Sequence, residues 1–110
     1  MLLLLLVLAP IWAGFHTPSG NIVCNASRRH IDCVVFSETR GGQATWSMDV
    51  TGPARRHIVF ANIGTEVPEL AYGLTFRFSG FTCASRRIGL TCRNRSRHGF
   101  FLSRARQQIF

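Results

Sequence analysis

The sequence predicts a small all-β domain, with antiparallel strands in a sandwich or partly open barrel, built from short hairpins and stapled by two disulfides. Three observations lead there. From Asn21 onward apolar residues recur at every second position, the period of a half-buried strand. No stretch keeps the i, i+3, i+4, i+7 spacing of a long amphipathic helix. One ten-residue frame also occurs twice, as "CNASRRHIDC" from Cys24 to Cys33 and as "CASRRIGLTC" from Cys83 to Cys92, and together the two copies use all four cysteines. Connections are short throughout, so antiparallel pairing is expected.

The chain opens with "MLLLLLVLAPIWA", uncharged and almost wholly apolar. This run is far short of the roughly twenty residues that span a bilayer as a helix. It reads as a secretory leader over residues 1–13, with Pro10 breaking its helix and Ala13 as the small residue at the cut, leaving a single domain over 14–110. The positive start usual for a leader is missing, so a start codon lying upstream and retention as an amphiphilic anchor are the competing readings.

Ile22 and Cys24 then share one side of a strand, "NASRR" interrupts, and Ile31, Cys33 and Val35 align on the return. Trp46, Met48 and Val50 alternate with Thr45, Ser47 and Asp49; "TGPA" turns the chain, and "HIVFAN" resumes an apolar run. Asn62 to Glu69, with Gly64 and Pro68, reads as turn. Leu74, Phe76 and Phe78 alternate with Thr75, Arg77 and Ser79, the clearest half-buried strand of the chain. After the bend at Ser79-Gly80, Phe81 and Cys83 lead out and Leu90 and Cys92 return on the same face. "GFFLS" from Gly99 is a last strand, followed by "RARQQIF", a tail too short for a confident helix.

If the cysteines of each decapeptide face one another across a hairpin, the residues between them make three cross-strand pairs and leave a two-residue tip. The tips are Arg28 and Arg29 in the first copy and Arg87 and Ile88 in the second, unless Gly89 opens a four-residue loop. Facing residues lie about 4.5–5.5 Å apart at Cα, within disulfide reach. Four cysteines permit three connectivities, of which Cys24–Cys33 with Cys83–Cys92 is favoured. Both copies follow a Ser-Gly pair, Ser19-Gly20 and Ser79-Gly80, and both place an aliphatic two residues before the closing cysteine, Ile31 and Leu90. This is the pattern of one stapled hairpin used twice.

Zinc sites favour cysteines two to four residues apart, and a catalytic thiol stands unpaired, so neither a metal nor a cofactor is expected of these matched sets. Disulfides imply an oxidising compartment, secreted or periplasmic. A domain of about 97 residues has one modest core, to which each bridge adds about 2–4 kcal/mol.

All thirteen basic residues are arginine, and the five acids are Asp32, Glu38, Asp49, Glu66 and Glu69. Residues 14–69 balance to zero, so the whole net charge of +8 sits in residues 70–110. Such asymmetry marks a surface for polyanions such as lipid headgroups or anionic polysaccharide, although charged strand edges also keep sheets from aggregating. Arg93, Arg95 and Arg97 alternate, so if the strand of Cys92 continues through "CRNRSR" all three project to one face. Arg86 and Arg87 stand at the neighbouring hairpin tip, and these five arginines are the candidate anion-binding residues. His98 and Gly99 are the candidate cleft, a polar residue beside a glycine. No catalytic residue is assigned: His16, His30, His57 and His98 have no nucleophile elbow, paired-histidine metal motif or phosphate loop around them.

Three ordered blocks, "FHTPSGNIVC", "LAYGLTFRFSGFTCASRRIGLTCRN" and "HGFFLSR", resemble those of a bacterial family of small secreted proteins, domain-of-unknown-function family 6636. The resemblance runs from Phe15 to Phe110 and implies export and paired cysteines, with no activity, substrate or catalytic residue to carry across. Many relatives have a further cysteine pair in the middle, where this chain has "TWSMDVTGPARRHIVFAN". Arg97 stands where a glycine commonly precedes the final His-Gly-Phe.

The expected function is that of a non-catalytic binding or structural module of the cell envelope, contacting polyanions through its basic half. The alternatives are an inhibitor or partner of another exported protein and a small hydrolase-type enzyme. Nucleic acid is disfavoured as a partner, since an exported protein seldom meets it and no exposed basic stripe interleaved with aromatics is evident.

Overall fold

The computed structural model describes residues 11–36, 43–59 and 66–110. Residues 1–10 of the expected leader, the 60–62 end of "HIVFAN" and residues 62–65 of the expected turn lie outside the described residues.

Ten strands follow one another: β1 (Trp12–His16), β2 (Ile22–Ser27), β3 (His30–Val35), β4 (Gln43–Asp49), β5 (Arg55–Val59), β6 (Thr75–Phe78), β7 (Phe81–Arg86), β8 (Gly89–Arg93), β9 (Gly99–Leu102) and β10 (Gln107–Ile109). The first five pair in chain order into one antiparallel sheet, and the last five do the same in a second. Each sheet is therefore an open meander. The two pack face to face as a sandwich and do not close into a barrel.

In both meanders the stapled hairpin is the second and third strand. Cys24 faces Cys33 and Cys83 faces Cys92, and each pair is bridged. The tips hold two residues, as expected; in the second copy Arg86 pairs with Gly89, leaving Arg87 and Ile88 at the turn. The Ser-Gly pairs are explained by the turns before β2 and β7, where Gly20 and Gly80 sit at φ of 75° and 90°, a left-handed backbone that glycine adopts without strain.

Strand alternation then sorts the side chains. Ile22, Cys24 and Ala26 of β2, and Ile31, Cys33 and Val35 of β3, point into the core, against Phe81, Cys83, Leu90, Cys92, Phe100 and Leu102 of the second sheet. The sulfurs of Cys24, Cys33 and Cys92 all lie within 4.8 Å of one another. The two disulfides thus stack at the centre of the sandwich. At one flank Phe15 of β1 meets Phe76 of β6, ring centroids 4.7 Å apart.

Two local expectations are corrected, and the strand pairing of a third segment is added. Leu74 precedes β6 and is exposed, its carbonyl accepting a hydrogen bond from Ser85 N, so the half-buried strand is shorter than its alternation suggested. The tail after "GFFLS" forms β10, because the turn at Ser103–Arg106 returns Gln107–Ile109 against β9. Trp12 and Ala13, placed in the leader by sequence, pair with Ser27 and Ala26 as the start of β1.

Candidate functional site

The five arginines singled out by sequence fall into two places. Arg93 ends β8 and points outward, its guanidinium 5.1 Å from the centroid of the Phe110 ring. Arg95 and Arg97 do not continue that strand. Asn94 stops it: this buried side chain donates from Nδ2 to the carbonyls of Asp49 (2.9 Å) and Gly52 (2.7 Å) in the first sheet's β4–β5 turn. Its Oδ1 accepts from the backbone N–H groups of Ser96 and His98. The chain curls into a turn in which Arg97 sits at φ 65° and Arg95 lies across Gly80. The Arg93-Arg95-Arg97 row is therefore not a strand face.

His98 and Gly99 belong to the same turn and the start of β9. A Cβ on Gly99 would collide with the Cys92 carbonyl and meet the Phe110 ring at 3.0 Å. Glycine at this position lets Phe110 lie over β9, with the two backbones exchanging hydrogen bonds.

Further arginines lie on the outer face of the second sheet. Outward positions on the second sheet run Arg77–Thr82–Arg93 across β6, β7 and β8, by direct cross-strand register. Arg106 lies over the same face two residues along, its guanidinium 5.1 Å from the ring of Phe101, which pairs with Thr91, and Arg86 closes the end of β7. Arg77 was legible in the sequence as an outward residue of a recognised strand. Arg106 was not, because its position depends on how β10 returns.

Arg86 and Arg87 line a groove of about 360 Å³ at one end of the sandwich. Three turns meet there: Ser19 and Asn21 from β1–β2, Arg86 and Arg87 from β7–β8, and Ser103 and Arg104 from β9–β10. Glycine at position 89 lets β9 lie close beside the β7–β8 tip, since a Cβ there would strike the Phe101 ring at 2.5 Å and the Leu102 carbonyl at 2.7 Å. Arg87 is held 5.5 Å from the centroid of the Tyr72 ring, which also lines the groove. Such stacking leaves a guanidinium's forked donors available to an anion.

Among the described residues the ion pairs are those of His30 alone. Its Nε2 lies 2.8 Å from Asp32 and its Nδ1 3.0 Å from Asp49, on the outer face of the first sheet. Both ring nitrogens donate only when the imidazole is charged. Burial alone would lower the His30 pKa, but the hydrogen bonds to Asp49 and Asp32, with their charges, outweigh it and hold the group above its ordinary value. Asp49 is held below its own, chiefly by the hydrogen bond from His30. Ser47 donates its hydroxyl to Asp32 and not to His30, so the imidazole has no hydroxyl here to activate.

Fold and site together define a disulfide-stapled β-sandwich of two meanders, one of them carrying the basic charge. Residues 61–110 match the model of a family described as a family of unknown function, DUF6636. The match contains the whole second sheet, whereas the resembling block at Phe15–Cys24 lies outside it. No curated protein matches the chain, and no solved structure does.

Proposed function

We propose that this chain is an exported, non-catalytic binding domain of the cell envelope, cut after Ala13, whose second sheet contacts anionic polymers or surfaces. The observation that carries the reading is the outer face of that sheet, where Arg77, Arg93 and Arg106 stand among threonines and aromatic rings in a segment with no acid after Glu69. Near an anionic surface each such arginine contributes on the order of 1 kcal/mol. Export is supported by two disulfides that close all four cysteines. The cut would leave Gly14, Phe15 and His16 to hold their places beside Asn25, Cys24 and Val23.

Heparin chromatography tests the reading. Retention falls steeply as salt rises, and the variant Arg77→Gln, Arg93→Gln, Arg106→Gln elutes at much lower salt. A first-sheet variant matched in charge, Arg29→Gln with Arg55→Gln and Arg56→Gln, elutes close to the parent. Equal retention of both variants and parent would remove the proposed face.

A further inference from the structure

The groove at the three turns differs from the arginine row in shape and in what stands beside it. A flat row suits a polymer of any sequence. The groove is concave, of the size of a small-ligand site, and brings Arg86, Arg87 and Arg104 to one opening. Its walls are braced. Ser103 N and Oγ donate to the Arg106 carbonyl at 2.8 and 3.0 Å, Gln107 Nε2 donates to the Ser103 carbonyl at 2.6 Å, and Gly20 N donates to the Thr17 carbonyl at 2.8 Å. Arg87 is set in direction by Tyr72. Three guanidinium groups, no carboxylate in the lining and preset turns suit a phosphate group, which accepts bidentate donors.

The second observation is Ile88. It occupies the hairpin tip next to Arg87, lines the same opening, and is 77 % exposed, the most exposed large apolar side chain among the described residues. An apolar tip beside arginines that line a groove has the layout of a membrane-surface contact, with the aliphatic side chain entering the acyl boundary as the guanidinium groups meet headgroups.

We propose that the β7–β8 tip docks on an anionic phospholipid surface, with Ile88 inserted and one lipid phosphodiester held in the groove by Arg86, Arg87 and Arg104. This rests on the polyanion reading above and gives it a lipid-borne ligand.

The test partitions the full mature chain onto phosphatidylcholine vesicles with and without phosphatidylglycerol, and titrates soluble glycerol phosphate in parallel. Partition is expected only with phosphatidylglycerol. Arg87→Gln with Arg104→Gln lowers it more than tenfold, at roughly fivefold per arginine, and abolishes the glycerol phosphate response. Ile88→Asn lowers vesicle partition by about tenfold, the loss expected for one inserted aliphatic side chain, and leaves the glycerol phosphate titration unchanged. All three positions are exposed, and thermal unfolding verifies that each variant is folded. Glycerol phosphate binding without any phosphatidylglycerol-dependent partition would overturn the lipid source, as would partition indifferent to Ile88. Heparin retention that still depends on Arg77, Arg93 and Arg106 would then show that the broader reading survives this failure.

Discussion

The two sheets share a chain order, a stapled second hairpin and a Ser-Gly turn, yet their outer faces have opposite chemistry. Of the inward positions the decapeptides agree at Cys24 with Cys83, Ile31 with Leu90 and Cys33 with Cys92, and differ at Ala26 with Ser85. They also part where side chains point outward. Asp32 of the first copy corresponds to Thr91 of the second, and His30 to Gly89. In the first sheet that imidazole bridges two carboxylates. In the second the glycine admits Phe101 of β9, and the β9–β10 turn that follows lines the arginine groove. Inward positions answer to one shared core and tolerate little change. Outward positions lie outside that core: at the hairpin ends, as at His30 and Gly89, they differ between the copies, although Val23, Val34, Thr45 and Ser47 on the first sheet's outer face are themselves buried.

The comparison can be broken most severely at the disulfides. Replacing Cys83 and Cys92 by alanine, or Cys24 and Cys33, costs about 2–5 kcal/mol in urea unfolding. Because three of the four sulfurs lie within 4.8 Å of one another, removing both bridges gives a loss that differs from the sum of the two. Additive losses would show that the two staples act independently.

Asn94 has no counterpart in the first sheet, and it joins the second sheet's β8–β9 turn to the first sheet's β4–β5 turn. Asn94→Ala abandons four hydrogen bonds at a buried site and costs about 3 kcal/mol, read from the same urea curves.

Ser85 sharpens the comparison from the other side. It corresponds to Ala26, and its buried hydroxyl has no partner among the described residues. Ser85→Ala, which makes the second hairpin resemble the first, raises stability by about 1 kcal/mol; a loss would mean that the hydroxyl is satisfied.

The smallest effect belongs to the first sheet's own network. His30 titrates above its ordinary 6.5, so its contribution is complete below that pH and fades as pH rises through the raised value. Asp49 titrates below its ordinary 3.8, so its contribution is present above that pH and fades as pH falls through the lowered value. The stability advantage of the parent over His30→Gln is therefore greatest between about pH 4 and 6.5 and declines on either side. A pH-independent difference would contradict the paired geometry.

Much of this was legible in the sequence. Period-two alternation located β2 to β4 and β6 to β9, and the cysteine spacing selected the correct pairing, because facing residues of a hairpin are set by local count alone. The ends of strands were less accessible. Leu74 continues the alternation of Phe76 and Phe78, but at that point the backbone turns through Tyr72 and Gly73. "CRNRSR" alternates as well as any strand, yet Asn94 ends it by bonding to a turn some 40 residues earlier. Periodicity reports which residues would share a face if the strand went on, and it does not report where a distant hydrogen bond stops it.

By itself the sequence determined the all-β class, the twice-used stapled hairpin, and the confinement of net charge to residues 70–110, since each of these depends on neighbours along the chain. Only the tertiary structure decided that the disulfides stack against each other, that Arg77 aligns with Arg93 across Thr82 while Arg95 and Arg97 leave the strand, and that Arg104 joins Arg86 and Arg87 at one opening. Those are contacts between segments far apart in sequence. They follow from how two twisted sheets bury their inner faces together, and no local pattern encodes which outward residues that packing makes neighbours.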